Sequence, residues 1–283
     1  MFSRSDKKIG NSRLTNQSVQ SIFKKEAFWK IETQSETYIT EKLILATGSN
    51  PKIWEMLQTF GHAIVSPVPS LFTFNIKDAR IKELPGVAAQ VSVKVKDTKL
   101  ETSGPLLITH WGMSGPAILK LSAWGARILH DKNYQFTIFV NWLNDLDAEN
   151  VEKTLKELKL EHAKKAVSKK SPFDLTNRLW ESLVLASGIE SETKWADLSK
   201  IQLQNLTHQL TNGTFQVNGK STFKEEFVTA GGIDLKEINF KTMVSKFHEN
   251  LYFAGEIVNI DAVTGGYNFQ NAWTSGFIVA NSI

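Results

Sequence analysis

Leu251-Tyr252-Phe253-Ala254-Gly255-Glu256, followed after seven residues by Thr264-Gly265-Gly266-Tyr267-Asn268-Phe269-Gln270, is the stretch on which the fold turns. An apolar run that stops in small residues is the pattern of a strand covered on both faces. At Gly255 the backbone can approach a ligand with no Cβ in the way. Ligands of open α/β sheets sit outside the carboxyl ends of the strands, where Glu256 stands. Its carboxylate can accept hydrogen bonds from sugar-like hydroxyls. Thr264 reads as an N-cap, and Gly265-Gly266 leave free N–H groups at the start of a helix read as Tyr267 to Ala280. The positive end of that helix would face negative charge. The same residues also read as a tight turn with a glycine-rich helix entry, and spacing leaves both readings open.

The same buried style recurs earlier. Residues 19–48 read as a β-meander followed by Lys42-Leu43-Ile44-Leu45-Ala46-Thr47-Gly48, a second apolar run ending in small residues. Pro51 suits the first turn of a helix, which Gly61 ends. Phe227-Val228-Thr229-Ala230-Gly231-Gly232 reads as a third such strand, running into a glycine turn. Between these ends the style changes. Pro67 and Pro69 mark a chain crossing. Val87 to Lys96 alternates apolar and polar residues, as a half-exposed antiparallel strand does. Residues 106–109 and 134–140 add strands, and Ser114 to Leu129 looks helical. Ala148 to Leu158, Leu175 to Ala186 and Leu198 to Leu210 repeat apolar residues at three- and four-residue spacing. The expected fold is α/β, with a core contributed by residues 1–64 and 226–283. An inserted β-barrel plus helical domain over 65–225 interrupts it.

Composition narrows the chemistry. The 283 residues include no cysteine, which removes disulfides, thiolate metal sites and a cysteine nucleophile. Redox chemistry would have to be carried by a bound cofactor. The histidines at 62, 130, 162, 208 and 248 have no metal-ligand spacing, and no metal site is expected. Neither a Gly-x-Ser-x-Gly elbow nor a Gly-x-x-x-x-Gly-Lys-Ser/Thr loop is present. A net charge of +4 suits an anionic small ligand, and nucleic acid is not expected as a partner. Lys164-Lys165 with Lys169-Lys170 read as a solvated helix face. Trp54, Trp124 and Trp180 fall at helix-face positions expected in the core. No apolar stretch approaches the ~20 residues of a membrane span. Met1-Phe2-Ser3-Arg4-Ser5-Asp6-Lys7-Lys8 has no apolar signal region, so the expected location is cytoplasmic.

Four stretches, in order, resemble one family. Ala46-Thr47-Gly48 looks like its ATG strand end. Thr109-His110-Trp111-Gly112-Met113-Ser114-Gly115-Pro116 looks like its THxGxSGP motif. Val228-Thr229-Ala230-Gly231-Gly232-Ile233 looks like its TAGGV turn. Phe253-Ala254-Gly255-Glu256, Asp261 and Thr264-Gly265-Gly266-Tyr267-Asn268 look like its C-terminal FAD fingerprint. The family is the BaiN-like, or aminoacetone-oxidase-like, group of FAD-dependent oxidoreductases. The resemblance implies a Rossmann-like FAD-binding domain, NAD(P)H as co-substrate and a small-molecule substrate. It implies FAD contacts at Ala46, Thr47, Gly48, Gly231, Gly232, Gly255, Glu256, Asp261, Thr264, Gly265, Gly266, Tyr267 and Asn268. His110 has two readings: a proton donor or acceptor facing the flavin, or a histidine held by local backbone before a helix that Ser114 caps. The family's Gly-x-Gly-x-x-Gly pyrophosphate cradle is not found, and Met1-Phe2-Ser3-Arg4-Ser5-Asp6-Lys7 resembles an internal segment. The Rossmann-like domain is therefore expected to be incomplete and FAD to bind weakly. The alternative is a cofactor-free fragment or binding module.

Overall fold

A computed structural model describes residues 12–144, 146–221 and 228–283. The opening Met1 to Lys7 and the predicted strand start at Phe227 lie outside the described residues. The chain divides into two units. One comprises residues 1–65, 232–259 and 269–283, and the other 66–231 and 260–268. The sequence reading placed residues 260–268 with the C-terminal part of the core, whereas they cluster with the larger unit.

The smaller unit begins with a meander of β1 (Val19–Lys25), β2 (Phe28–Thr33) and β3 (Thr37–Thr40), paired antiparallel in that order. Trp29 on β2 is fully buried, edge-on to Phe60 at 5.6 Å and to His248 at 6.0 Å. β4 (Leu43–Leu45) leads into α1 (Pro51–Thr59). Asn50 caps α1 by accepting from the Lys52 N–H, and Ile53, Trp54 and Leu57 form its buried face.

β5 (Ile64–Ser70) carries the chain into the larger unit, with Pro67 and Pro69 inside the strand. There follow β6 (Thr73–Asn75), α2 (Ala79–Lys82), β7 (Ala88–Val95), β8 (Glu101–Thr109), β9 (Gly112–Ser114), α3 (Pro116–Trp124), α4 (Ala126–Asp131) and β10 (Gln135–Asn141). α5 (Ala148–Glu161), α6 (Asn177–Ala186) and α7 (Lys200–Asn212) come next, then β11 (Gly213–Asn218) and β12 (Lys220–Ser221). The sheet order is β11-β10-β7-β8-β9-β6-β12. Only Gly219 separates the strands at its two ends. One bent segment therefore joins both edges and closes the sheet on itself, which removes exposed edges. Val91, Val93 and Val95 point inward on β7, as the alternation requires.

The helices start where side chains can satisfy orphan N–H groups: Asp147 caps α5, Thr176 caps α6, and Ser199 with Gln202 forms a capping box on α7. Trp180 is fully buried, donates to the Val167 carbonyl at 2.8 Å and stacks on Trp195. Trp124, expected in the core, is 57% exposed at the end of α3 beneath the Lys120 ammonium. The predicted helix over Ser114 to Leu129 is also corrected. Ser114 belongs to β9, and Gly125 separates α3 from α4.

β13 (Val228–Ile233) returns the chain to the smaller unit, which is completed by β14 (Ile238–Asn239), β15 (Val244–Ser245), β16 (Leu251–Phe253) and α8 (Tyr267–Ala280). A four-stranded sheet runs β14-β15-β16-β4, its last pair parallel. α8 buries Ser275 and Val279 and leaves Phe269, Trp273 and Phe277 exposed at four-residue spacing.

His62 is sealed inside this unit. Nδ1 lies 2.8 Å from Glu237, and Nε2 lies 3.0 Å from the Ser245 hydroxyl. Burial pushes its pKa below the ordinary 6.5, outweighing the opposing pull of the Glu237 carboxylate. A depressed histidine favours folding while both states are neutral. Its contribution is complete above pH 6.5 and is lost as the pH falls towards the lower folded value. Each unit of depression corresponds to about 1.4 kcal/mol. Denaturant titrations from neutral pH down through 6.5 should show this unit losing stability, and His62→Gln should flatten the curve. A wild-type curve already flat across that range contradicts the assignment.

Candidate functional site

β4 and β16 run side by side and parallel, Leu43 against Leu251 and Leu45 against Phe253. The Ala254 N–H donates to the Leu45 carbonyl at 3.0 Å. The two carboxyl ends therefore emerge together, as Ala46-Thr47-Gly48 and Ala254-Gly255-Glu256. A cavity of about 850 Å³ opens there, lined by Thr47, Gly48, Ser49, Asn50, Lys52 and Glu256 among others. This is the crevice position where sheets of this kind hold ligands. Gly48 has φ +63° with open space beside its Cα. The chain can turn there without crowding the cavity. The first turn of α1 borders the same cavity and brings its positive end and the Lys52 ammonium. Hydroxyls, a carboxylate and a helix N-terminus together suit a ligand carrying both sugar-like hydroxyls and phosphate.

Thr47, Gly48 and Glu256 are thus brought together, with Ala46 and Gly255 beside them in the chain. Gly255, at φ +76°, gives its N–H to the Ser275 hydroxyl at 2.8 Å. That bond ties the end of β16 to α8. Sequence reasoning missed Ser49, Asn50 and Lys52. The signal was present in Asn50-Pro51, a cap followed by a first-turn proline, which fixes the helix start next to the strand end.

Gly231 and Gly232 are buried. A Cβ on Gly232, at φ +125°, would stand 2.6 Å from the Ile257 carbonyl oxygen. Close backbone packing accounts for that glycine.

The loop from Asp261 to Asn268 is ordered within the larger unit. Asp261 accepts from the Ser70 hydroxyl at 3.1 Å. The Asn268 amide both accepts from the Ala262 N–H and donates to the Ala262 carbonyl, each at 2.9 Å. This clamp orders the entry to α8, the part the sequence reading gave to a Thr264 cap. Thr264, Gly265, Gly266 and Tyr267 are exposed, with Gly265 at φ +123° and Gly266 at φ +85°.

His110 and Trp111 form the two-residue tip of the β8–β9 hairpin, Thr109 pairing with Gly112. They face a cavity of about 970 Å³ within the larger unit, whose lining includes Asn75, Lys77, Lys82 and Asn218. The turn before a Ser114-capped helix is not what forms. Ser114 accepts from the Thr73 hydroxyl at 3.0 Å, and α3 begins at Pro116 behind Gly115, at φ +93°. Among the described residues the His110 ring makes no hydrogen bond, and it lies 6.3 Å from the Trp111 ring. Also among the described residues, no group of three or more His, Asp or Glu could hold a metal ion. Nor is any helix long and apolar enough to cross a membrane.

Residues 68–228 match the family description "HI0933-like protein barrel and H2TH domain". The chain is 31% identical over 263 residues to a ribosomal RNA dihydrouridine synthase of Haemophilus influenzae, covering 89% of this chain and 63% of that one. It is 29% identical over 275 residues to the protein of the same name from Escherichia coli, covering 94% and 66%. It is 23% identical over 267 residues to a 3-dehydro-bile acid delta(4,6)-reductase of Clostridium scindens, covering 89% and 64%. The chain spans just under two thirds of the length of each of these relatives.

Proposed function

We propose, from the premise that this chain belongs to the HI0933-like family, that it is a flavin-dependent oxidoreductase with its FAD seat at the carboxyl ends of β4 and β16. The observation that carries this reading is the paired strand ends lining one cavity with Thr47, Gly48 and Glu256. The donor set fits a flavin nucleotide in part. Glu256 accepts from ribityl or ribose hydroxyls. Lys52 and the first turn of α1 face the phosphates. When bound, the flavin supplies two-electron reducing chemistry, with NAD(P)H as the reading's source of electrons. His110 holds or moves a proton at a ring nitrogen.

The relatives' names refine the substrate. Read as chemistry, dihydrouridine formation and delta(4,6) reduction both add two hydrogens across a carbon–carbon double bond conjugated with a carbonyl. Uridine in ribosomal RNA is the better supported substrate, since two relatives at 31% and 29% identity carry that name. In this reading it takes the place of the small-molecule substrate that the family resemblance implied.

Titration of FAD and of riboflavin into the 283-residue chain, followed by flavin fluorescence, tests the seat. Saturable binding is expected, and Glu256→Gln should weaken it about 10-fold, the scale of one hydrogen bond to a charged acceptor. No saturable binding of either would sink the reading in favour of a cofactor-free binding module. Incubation with FAD, NAD(P)H and unmodified ribosomal RNA should give a two-hydrogen mass gain on a uridine.

A further inference from the structure

The two halves of the cavity at the ends of β4 and β16 come from distant parts of the chain, and one side chain joins them. Trp54 lies in the opening turns of α1. Its backbone N–H donates to the Asn50 carbonyl at 3.2 Å, which closes the helix start beside Lys52. Its indole is buried, and Nε1 donates to the Ile257 carbonyl at 3.0 Å, 203 residues away. Ile257 directly follows Glu256 and is fully buried. Of Ile53, Trp54 and Leu57, the buried face of α1, only Trp54 carries a polar side-chain atom. Packing alone would be served by another apolar residue. What the indole adds is a donor that fixes the spacing between the positive end of α1 and the residue bearing the carboxylate.

The other flank of Glu256 is held as well. Gly255, Glu256 and Ile257 form one 3₁₀ turn. At its start the Gly255 N–H donates to the Ser275 hydroxyl at 2.8 Å. Ser275 is buried in α8 and gives its own proton back to the helix, at the Asn271 carbonyl 2.6 Å away. A hydroxyl has one proton and two lone pairs, so Ser275 is set to accept from Gly255. Glu256 stands half-buried between these two anchors. A carboxylate gripped on both sides needs little reordering when hydroxyls reach it. A fixed spacing also favours a ligand that meets the carboxylate and the helix start at once.

We infer that Trp54 and Ser275 are positioning residues of the flavin seat. Together they hold the turn that carries Glu256, and Trp54 sets its separation from the phosphate end at Lys52. The inference rests on the reading of this cavity as the flavin seat and names what gives that seat its preference for a phosphate-bearing flavin.

Fluorescence titration of FAD and of riboflavin into the 283-residue chain, with neither NAD(P)H nor RNA, tests it. Both ligands carry the ribityl hydroxyls, and only FAD carries phosphate. Trp54→Phe keeps a ring and removes the donor. It should weaken FAD about 10-fold and riboflavin by less than about 3-fold, because only FAD spans both ends. Ser275→Ala should weaken both ligands about 5-fold, since it loosens the carboxylate they share. Added to Glu256→Gln, Ser275→Ala should cost less than about 2-fold more, as befits residues acting through one group. Thermal melts fix the temperature at which every variant is folded, and affinities are compared there. Equal loss of both ligands in Trp54→Phe, or a Ser275→Ala loss that adds in full to Glu256→Gln, is structural damage and overturns the inference. So does unchanged affinity in both variants. In each of these cases wild-type binding and its weakening by Glu256→Gln still stand, and the flavin seat with them. No saturable wild-type binding defeats that underlying reading, and this inference falls with it.

Discussion

Gly112→Ala should lower the melting temperature of the larger unit by about 8–16 °C, at about 2–4 °C per kcal/mol for a unit of this size. The cause is what a single added methyl would meet. At Gly112 an added Cβ would overlap the Phe74 carbonyl oxygen and stand 2.6 Å from the Ile76 nitrogen. Both are backbone atoms of the neighbouring strand segment, and Gly112 pairs with Asn75 and Thr109 at once. Backbone inside a closed sheet cannot move aside as a flexible side chain would. The backbone there also has φ +151°, a conformation that L side chains rarely adopt. Strain and overpacking therefore act together, and about 4 kcal/mol is the scale of such a combined effect. Gly188 in the same unit separates the two causes. It has φ +75° but open space around it. Gly188→Ala should cost only about 1–2 kcal/mol, the conformational part alone. If the two alanine variants melt together, close approach at Gly112 is refuted.

The same glycine shows where the sequence was legible and where it was not. Period-two alternation located β7, and helical spacing located α5, α6 and α7, because these elements bury one face and expose the other. The run Leu251–Phe253 was readable for a different reason, as a continuous apolar strand buried on both faces. What alternation cannot encode is which strands become neighbours. The parallel pairing of β4 with β16, separated by over 200 residues, brings the ends of two short apolar runs to one cavity. Gly232 is a second case. As a letter it looks like part of a glycine turn after a strand, yet its packing against Ile257 is enough to require it. His110 was visible as a residue but not as a hairpin tip. The motif's Ser114, Gly115 and Pro116 look like a helix start, and only the pairing of Thr109 with Gly112 shows a two-residue β-turn ahead of it. Trp124 failed as a core residue because Gly125 ends its helix one residue later, turning that face to solvent.

Arg80→Ala should cost about 3 kcal/mol, far more than an ordinary surface ion pair. The guanidinium joins three elements. It forks onto Asp78 beside α2, donates to Gln209 Oε1 on α7 at 2.6 Å and reaches the Thr214 carbonyl on β11. Its flat face lies 3.8 Å above the Phe215 ring. Exposed pairs contribute about 0–1 kcal/mol. Removing one member of a mostly buried pair strands the other charge, at about 3–5 kcal/mol when burial is complete. With 13% and 22% of the two side chains exposed, the lower part of that range applies. Arg80→Lys should recover little, because an ammonium cannot form the fork or lie flat on the ring. The pH dependence supplies the diagnostic. Burial tends to raise the Asp78 pKa, but the hydrogen bonds and charge of Arg80 overcome it and hold it below the ordinary 3.8. A depressed carboxylate contributes stability that is present above 3.8 and lost as the pH falls through the folded value. The gap between wild type and Arg80→Ala should therefore be full at neutral pH and narrow in acid below about 3.8. Asp78→Asn added to Arg80→Ala should restore part of the loss at neutral pH, since a neutral amide can still cap α2 without a stranded charge. A gap that stays constant into acid, or a double variant no more stable than Arg80→Ala alone, would show that the guanidinium acts through packing and not through Asp78.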